Sequence, residues 1–492
     1  MKDNKHAQSS RIKSVAILGA GPAGLTAAYL LAANGCSVTV FEKDKHYVGG
    51  ISRTEEYKGF LFDIGGHRFF SKSPEVVSFW KMMLKDDLLT CERKSRIYYH
   101  QRFFKYPLEI WDILKNLGLW ESTASVFSYV WQSIKPLKKI DNFEDWVIAR
   151  FGKRLYKVFF KTYTEKVWGI PCNQISADWA AQRIKNLTLR TAIWNAMFPS
   201  SNKSSDKKLV KTLVDTFFYP TQGPGMLWKK CAKAAKENGA LIEMGATVSG
   251  LVFSDTDQHW DVIVNNKQRY SGFDYVISTL PISELIPGVN PTLGDHVIAA
   301  AKSLNYRDFI LVALILRDRQ QFSDNWIYIH DPSVKVGRIQ NFKAWSRDMV
   351  PDQSLVCLGM EYFVNQGDEI WEKSNEDLAK MAFNELLELK LASNSDLVDW
   401  HVIRQCKAYP VYDDNYSAKV DVIRNALANY ESLILIGRNG MHKYNNQDHS
   451  MMTAMLAVKN IIAGENLYDV WKVNQDAEYI EEGHHEMQET HA

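Results

Sequence analysis

A glycine-rich turn close to the start of this 492-residue chain constrains its fold more than any other feature. An apolar run, 13–18, leads into the turn, an alanine- and leucine-rich stretch, 22–34, follows it, and a second apolar run ends in an acid. This order predicts a strand, a tight turn, a helix and a second strand that together bind a dinucleotide, with the helix N-terminus facing the phosphates. The acid lies 18 residues after the last glycine and is placed to accept ribose hydroxyls. The residues expected to bind are Gly19, Gly21, Pro22, Ala23, Gly24, Glu42 and Lys43. The alternative is a glycine turn in an unrelated β-α-β unit.

A second glycine pair indicates which dinucleotide is bound. Gly49, Gly50 and Ile51 precede a basic residue, Arg53, and this arrangement resembles the pattern by which flavoproteins extend the nucleotide fingerprint toward the flavin. Dehydrogenases that use only NAD usually lack it. We therefore expect FAD, and NAD is the less favoured alternative.

Composition excludes several classes of function. A net charge of +2 carries no nucleic-acid signature. Six scattered cysteines without a C-x-x-C pair suit reduced thiols, no run of 18 apolar residues occurs, and the N-terminus has no signal-peptide core. We expect a cytoplasmic protein with no nucleic-acid partner, no membrane span and no metal cluster.

The alternation of patterns along the chain predicts an α/β fold, in which a Rossmann-like FAD-binding domain carries an inserted, discontinuous substrate domain of helices and antiparallel sheet. The Trp- and Phe-rich helices expected at 111–131 and 143–168 are taken as core. The polar run 200–208 is either a solvated connection or a substrate lid. The expected pieces are tails at 1–10 and 466–492, FAD-binding parts at 11–107, 216–299 and 431–465, a helical substrate domain at 108–215, and a substrate-side sheet with helices at 300–430.

Several separate blocks resemble one family, the FAD-dependent UDP-galactopyranose mutases of the eukaryotic type. This family lies within the superfamily of amine oxidases and protoporphyrinogen oxidase. The resemblance runs from about Ser14 to Gly464. The blocks that carry it are Gly65-Gly-His-Arg-Phe-Phe-Ser71, Tyr163-Thr-Glu-Lys-Val-Trp-Gly169, Trp179-Ala-Ala-Gln-Arg-Ile184, Phe218-Tyr-Pro-Thr-Gln-Gly-Pro-Gly225, Ala408-Tyr-Pro410, Gly437-Arg438 and Tyr444-Asn-Asn-Gln-Asp-His-Ser450.

The resemblance implies roles for individual residues. Those it places at the cofactor are Gly65, Gly66, His67, Val248, Gly437, Arg438, Asn446, Gln447, Asp448 and Ser450. Those it places at the substrate are Arg102, Arg183, Arg307, Tyr328, Tyr409 and Tyr444. Those it makes catalytic are His67, Arg183, Arg317, Tyr409 and Tyr444. Arginine and tyrosine side chains suit a diphosphate, because charge-assisted hydrogen bonds are strong.

The same resemblance implies a reaction, the interconversion of the pyranose and furanose forms of a nucleotide-linked sugar through an adduct at N5 of reduced FAD. NAD(P)H is then a candidate reductant, the partner is a small nucleotide diphosphate sugar, and a homo-oligomer is left open. The alternatives are an FAD-dependent oxidoreductase of the amine oxidase or protoporphyrinogen oxidase type, and a flavin-binding protein without catalysis. Departures from the family pattern, Leu187 in place of a second arginine and Arg102 in place of an amide, leave the sugar undetermined.

Overall fold

The computed structural model describes residues 12–175, 177 and 216–474, apart from Pro107, Glu109, Lys138 and Asp414. The block that contains Arg183 and the polar run 200–208 lie outside these residues. The chain divides into two compact units. The first comprises the residues up to Gly50 together with Trp228–Ser303 and Lys419–Val473, and the second comprises Ile51–Leu227, Leu304–Ala418 and the residues after Val473.

Twenty strands are found in the described part of the chain. In chain order they are β1 Ser14–Leu18, β2 Ser37–Glu42, β3 Thr54–Tyr57, β4 Phe60–Asp63, β5 Leu88–Glu92, β6 Ser95–Tyr99, β7 Arg102–Lys105, β8 Thr216–Pro220, β9 Leu241–Met244, β10 Val248–Ser254, β11 His259–Val264, β12 Gln268–Phe273, β13 Tyr275–Ser278, β14 Val289–Asn290, β15 Tyr306–Arg317, β16 Trp326–Ile329, β17 Arg338–Asn341, β18 Leu355–Val364, β19 Leu397–Pro410 and β20 Leu433–Leu435.

Fourteen α-helices accompany them among the same residues. They are α1 Pro22–Ala33, α2 Pro74–Leu84, α3 Ile110–Leu117, α4 Leu119–Ile134, α5 Phe143–Leu155, α6 Thr162–Trp168, α7 Gly225–Glu237, α8 Ile282–Leu285, α9 Asp295–Lys302, α10 Phe342–Trp345, α11 Glu369–Glu372, α12 Asn375–Glu388, α13 Tyr416–Leu427 and α14 Gln447–Ala463. None of these helices has both the length and the apolar content that a bilayer crossing needs.

The first unit is built on a five-stranded parallel sheet in the order β20-β13-β1-β2-β9. Its central strand β1 is buried almost throughout, which explains its unbroken apolar sequence. Helices α1 and α14 pack against each other. A smaller sheet, β12-β11-β10-β14, completes the unit. This parallel sheet with its helices is the Rossmann-like part that the sequence predicts.

The second unit is built on a seven-stranded sheet in the order β19-β15-β18-β17-β16-β6-β7. Strand β15 lies between two long antiparallel partners, and ten of its twelve residues are buried. Because both faces are covered, the strand reads as a continuous apolar run and not as an alternating one. Together the two units confirm the predicted α/β class.

The observed division differs from the predicted FAD-binding pieces 11–107, 216–299 and 431–465: the corresponding stretches of the first unit end at Gly50, run from Trp228 to Ser303, and run from Lys419 to Val473. The hairpin of β3 and β4 was expected in the FAD-binding domain, but Phe60 and Phe62 belong to the apolar core of the second unit, with Phe309 and Phe342. Burial of these rings outweighs sequence proximity to the glycine turn. The first stretch of the first unit therefore ends at Gly50.

The expectation that the aromatic helices form core is only partly right. In α5, Phe143 and Trp146 are buried, whereas α4 leaves Trp120, Phe127 and Trp131 largely exposed. The packed side of α4 carries Ser122, Ser125 and Tyr129, so the two tryptophans and Phe127 are on the outside.

Candidate functional site

The glycine turn between β1 and α1 has the geometry that its spacing predicts. Gly19 has φ +99°, and a Cβ there would lie 2.3 Å from Thr279 Oγ1. A Cβ on Gly24 would lie 1.9 Å from the Gly19 carbonyl oxygen, so only glycine allows α1 to pack this closely. Pro22 opens the helix, where its missing N–H costs nothing.

Gly21 differs from the other two glycines, because packing within the protein does not require it. A Cβ at this position would meet only Gly50 Cα, at 4.0 Å, and the backbone there (φ −76°, ψ −175°) suits any residue. A phosphate can approach the backbone closely at the first turn of a helix only where no side chain intervenes. Gly21 meets this requirement, although packing within the protein would allow a side chain there.

The acid at the end of β2 braces the turn. Glu42 is 8% exposed; one carboxylate oxygen accepts a hydrogen bond from the Ala20 N–H at 2.7 Å, and the other accepts from the Asp44 N–H at 2.9 Å. The Gly49 N–H donates to the Ala20 carbonyl at 2.8 Å, which brings the second glycine pair to the first. Each carboxylate oxygen has two lone pairs, so Glu42 keeps acceptor capacity for a ribose.

A third glycine turn meets the same end of the parallel sheet. It follows β20, and a Cβ on Gly437 would lie 3.1 Å from the Ala23 Cβ on α1. The Arg438 Nε donates to the Asn445 carbonyl at 2.8 Å, and its guanidinium lies 5.1 Å from the centre of the Tyr444 ring. The carboxyl ends of β1 and β20 therefore converge, as in sheets that bind dinucleotides.

The remaining residues predicted to bind the cofactor in this unit lie near these turns. Asn446 caps α14 and forms a reciprocal capping box with His449, while the Gln447 side-chain oxygen accepts from the Trp228 Nε1 at 3.2 Å. Asp448 lies in the first turn of α14, and Ser450 is buried. Lys43 is exposed beside Glu42. Val248 opens β10 just after Ala246, whose N–H donates to the Glu42 carbonyl.

In the second unit, three side chains form a row across neighbouring strands. Tyr328 on β16 is in register with Arg338 on β17, and Arg338 is in register with Glu361 on β18. The Arg338 Nε donates to Glu361 Oε2 at 2.6 Å, and Gln340 donates to the other carboxylate oxygen at 2.9 Å. Glu361 is fully buried and the Arg338 side chain is 17% exposed.

The arginine is kept charged although it is buried. Burial acts to lower the pKa of Arg338, but the Glu361 carboxylate and the phenol groups of Tyr163, Tyr409 and Tyr328 act to raise it, and the net shift is upward. The guanidinium is thus a fixed cation among three tyrosines.

The Gly65-Gly66-His67 loop lies against this cation. A Cβ on Gly65 would be 3.6 Å from the Tyr409 hydroxyl, 3.8 Å from His67 Nε2 and 3.9 Å from Arg338 Nη2. These three polar atoms therefore surround one point. The His67 Nε2 contacts the Ile64 carbonyl at 2.8 Å, which fixes the proton on that nitrogen in the neutral ring.

Aromatic rings extend the cluster beyond Tyr328. The Tyr163 ring is perpendicular to Tyr328, with centroids 5.5 Å apart, and it stacks on His330 at 4.8 Å. Tyr106, which is 42% exposed, lies 4.9 Å from Tyr328 between ring centroids. Burial lowers the pKa of His330 to about 3, and the nearby Lys166 adds to the effect. His330 is therefore neutral near pH 7.

Lys166 holds the segment that joins β16 to β17. Its Nζ donates to the carbonyls of Ile329, Asp331 and Val336 at 3.3, 2.7 and 3.1 Å. Burial lowers the pKa of Lys166 to about 8. The lysine thus positions the strands that carry Tyr328 and Arg338, and it contributes as a scaffold residue of the site.

Of the other arginines expected at the substrate, Arg307 is in register with Tyr409 on β19, and its guanidinium donates to backbone carbonyls. Arg307 donates to the carbonyls of Val167 at 3.2 Å, Lys166 at 3.4 Å and Phe363 at 2.6 Å. Arg317 is exposed at the end of β15, and Arg102 is exposed on β7, where it donates to the Asn116 carbonyl.

The structure thus brings together Tyr328, Tyr409 and His67 from the predicted set, whereas Tyr444 lies in the first unit and Arg183 outside the described residues. Ile51 begins the second unit and packs on its core. Arg338, Glu361 and Tyr106 are not among the predicted residues. The local signal for Tyr106 is that it directly follows the Phe-Phe-Lys segment of β7.

Within the described residues, no group of three or more His, Cys, Asp or Glu side chains is arranged to hold a metal ion.

Comparisons with known proteins agree with this geometry. A family model described as an NAD(P)-binding Rossmann-like domain matches residues 17–82. Protoporphyrinogen oxidase 2 of Arabidopsis thaliana is 45% identical over 83 residues, which are 17% of this chain and 15% of the oxidase. A 4,4'-diapophytoene desaturase of Staphylococcus aureus is 22% identical over 300 residues, 56% of this chain and 57% of the desaturase. A protein of Klebsiella pneumoniae assigned as a UDP-galactopyranose mutase is 22% identical over 210 residues, 41% of this chain and 53% of that protein. The chain thus spans at most about half to three fifths of the length of these relatives.

Solved structures match over nearly the whole chain. A reduced UDP-galactopyranose mutase superposes with a TM-score of 0.81 at 20% identity, covering 96% of this chain and 99% of the mutase. A protein from Exiguobacterium assigned as a protoporphyrinogen oxidase gives 0.68 at 15% identity, covering 92% and 99%. At these identities the likeness is one of fold. The chain therefore has the Rossmann-containing α/β fold that is shared by these mutases and oxidases.

Proposed function

We propose that this protein is an FAD-dependent enzyme that interconverts the pyranose and furanose forms of a nucleotide-linked sugar. The observation that carries the proposal is the buried Arg338, which is held by Glu361 and faced by the phenols of Tyr163, Tyr328 and Tyr409. A fixed cation with several hydroxyl donors suits an anionic diphosphate better than a neutral amine or a polyene.

The residues that would bind the cofactor lie in the first unit. The turn from Gly19 to Gly24 and the N-terminus of α1 would receive the pyrophosphate, because the backbone at Gly21 is open to approach without a packing reason. Glu42 would accept the ribose hydroxyls. FAD in its reduced form, when bound, would supply a nucleophile for the anomeric carbon of the sugar.

The second unit supplies the groups for the substrate. Arg338 would neutralise the diphosphate and stabilise the negative charge that grows on it as the bond to the sugar breaks. The hydroxyls of Tyr328 and Tyr409 would donate to the diphosphate oxygens, and tyrosine loses little side-chain entropy in doing so. Lys166 would keep β16 and β17 in place, so that these donors are oriented before the substrate arrives.

A second candidate is an FAD-dependent oxidoreductase of the protoporphyrinogen oxidase type. The observation that favours it is the 45% identity to the Arabidopsis oxidase over 83 residues. That segment is short, and the oxidase and the mutase structures share the fold of this chain. The charge at Arg338 is the reason to place the mutase first.

The test is turnover of UDP-galactofuranose by the purified full-length protein, with the products separated by chromatography. Conversion to UDP-galactopyranose only after reduction with dithionite, or with NADPH or NADH, would support the proposal. Bound, reducible flavin without conversion, together with oxygen consumption on protoporphyrinogen, would overturn it in favour of the oxidase.

A further inference from the structure

Helix α4 presents a row of large apolar side chains to the outside of the second unit. Trp120 is 84% exposed, Phe127 77%, Trp131 62% and Ile134 68%. Their spacing of seven, four and three residues places them on one side of the helix. Scattered exposed apolar residues are normal, but a contiguous row of two tryptophans, a phenylalanine and an isoleucine marks an interaction surface.

The opposite side of α4 is the side that packs, and it carries two buried serines together with Tyr129, which packs on the apolar cluster that includes Phe159. Ser122 and Ser125 are 6% and 5% exposed, and the Ser125 hydroxyl is satisfied by the Glu121 carbonyl at 2.8 Å. Gly152 of the following helix approaches so closely that a Cβ there would lie 2.9 Å from Tyr129 Cα.

Positive charge lies at both ends of this row. At the C-terminal end, Lys135 lies 4.7 Å from the centre of the Trp131 ring. Lys139, which is 82% exposed, pairs with Asp141 at 2.9 Å, and the net charge of the two lysines and this aspartate is positive. Leu137 and Ile140 continue the exposed apolar surface beyond the helix.

At the N-terminal end, next to Trp120, a cleft of about 400 Å³ opens. Its lining includes His100, Arg102, Arg154 and Lys157, with Glu121 as its acid. Arg154 pairs with Glu121 through two hydrogen bonds, at 2.9 and 2.5 Å. The cations therefore outnumber the acid, and a phosphate group would be attracted to the cleft.

We propose that α4, with the residues up to Ile140 and this cleft, is a peripheral membrane-binding face for bilayers rich in anionic phospholipid. A helix of 16 residues is about 24 Å long and would lie in the plane of the interface. Its aromatic side chains would insert at the level of the headgroups, and the cations at both ends would contact lipid phosphates. The inference does not depend on the proposed function.

A second copy of this chain is the competing occupant, and the charges argue against it. If two copies paired antiparallel along α4, the end with Lys135 and Lys139 would face the basic cleft of the other copy. If they paired in parallel, each basic end would face itself. Either arrangement brings like charges together, whereas an anionic bilayer complements both ends.

The test is co-sedimentation of the full-length protein with vesicles of phosphatidylcholine alone or of phosphatidylcholine with phosphatidylglycerol. We expect binding to the anionic vesicles, weakened at least about tenfold in the double variant Phe127→Ser/Trp131→Ser. The charge variant Lys135→Glu/Lys139→Glu should lose the preference for phosphatidylglycerol. The control Leu241→Ser/Val398→Ser, which removes side chains 61% and 51% exposed elsewhere, should bind like the wild type.

Equal vesicle binding by wild type and Phe127→Ser/Trp131→Ser, or no binding of the wild type to anionic vesicles, would overturn the proposal. Light scattering after gel filtration gives the oligomeric state of each variant. A dimer that is lost in the double variant, without vesicle binding by the wild type, would assign the face to a second copy. Circular dichroism melts establish that the variants compared are folded.

Discussion

Arg338 and Glu361 form a buried ion pair in which the Nε donates to Oε2 at 2.6 Å across the register of β17 and β18. The carboxylate is fully buried, and its second oxygen accepts from Gln340. Both side chains that donate to the Glu361 carboxylate thus lie on β17. The Nη atoms of Arg338 lie near the Gly65-Gly66 loop. The pair orients a cation; its net contribution to stability is a separate question, because burial of both groups opposes their attraction.

The first prediction concerns how Arg338 and Glu361 together affect the free energy of unfolding. Glu361→Gln leaves the Arg338 cation without its counter-charge, and we expect it to lower the free energy of unfolding by about 3–5 kcal/mol. Arg338→Met leaves the carboxylate unpaired and should cost a similar amount. The double variant should cost clearly less than the sum, as measured by denaturant unfolding. Additive losses would show that the two side chains do not act as a pair.

The second prediction concerns activity. Arg338→Lys keeps one positive charge but loses the planar fork, so it cannot bind Glu361 and a diphosphate oxygen in the same geometry. We expect kcat/KM for UDP-galactofuranose to fall roughly 100-fold, as on loss of an oxyanion donor. Arg317→Lys, at the exposed end of β15, is the matched control and should be unchanged. An unaffected Arg338→Lys enzyme would remove this arginine from the site.

The cofactor turn could be predicted from the sequence because its determinants are local. Gly19, Gly24 and Glu42 lie within one β-α-β unit, and each acts through backbone geometry that spacing alone reveals. The expected helix 22–34 is observed as Pro22–Ala33.

The substrate side could not be predicted in the same way, because it depends on which strands pair. The resemblance places Tyr328 at the substrate, but Arg338 joins it only through the register of β16 with β17. The arginines selected from the sequence, Arg307 and Arg317, lie on β15, where Arg307 is in register with Tyr409 and Arg317 lies at the other end of the strand. Helical periodicity likewise finds the two sides of α4 but does not say which one is packed.

The third prediction tests the cofactor site. The extended backbone at Gly21 suits valine, and a Cβ there would meet only Gly50, so Gly21→Val should fold normally yet be purified without FAD, because the side chain would fill the space of the pyrophosphate. Gly24→Ala, whose Cβ would lie 1.9 Å from the Gly19 carbonyl, should instead lower the melting temperature as well. The ratio of flavin to protein absorbance measures the FAD content, and a thermal melt measures the melting temperature. A fully loaded, yellow Gly21→Val protein would refute the site.

The last prediction is a pH dependence that originates at His330. Because its pKa is lowered to about 3 in the folded protein, the unfolded chain binds the proton first as the pH falls below the ordinary value near 6.5. Stability that is fully present above that value is therefore lost progressively toward pH 3, and about 2 kcal/mol should be gone at pH 5. His330→Phe keeps a ring against Tyr163 but has no group that titrates, so its unfolding free energy should fall less between pH 8 and pH 5.

The comparison is made by denaturant unfolding at the two pH values, with the exposed His46→Phe as the control. Equal losses in wild type and His330→Phe would mean that other groups cause the acid sensitivity. A smaller loss only in His330→Phe would assign that part of the acid sensitivity to protonation of His330.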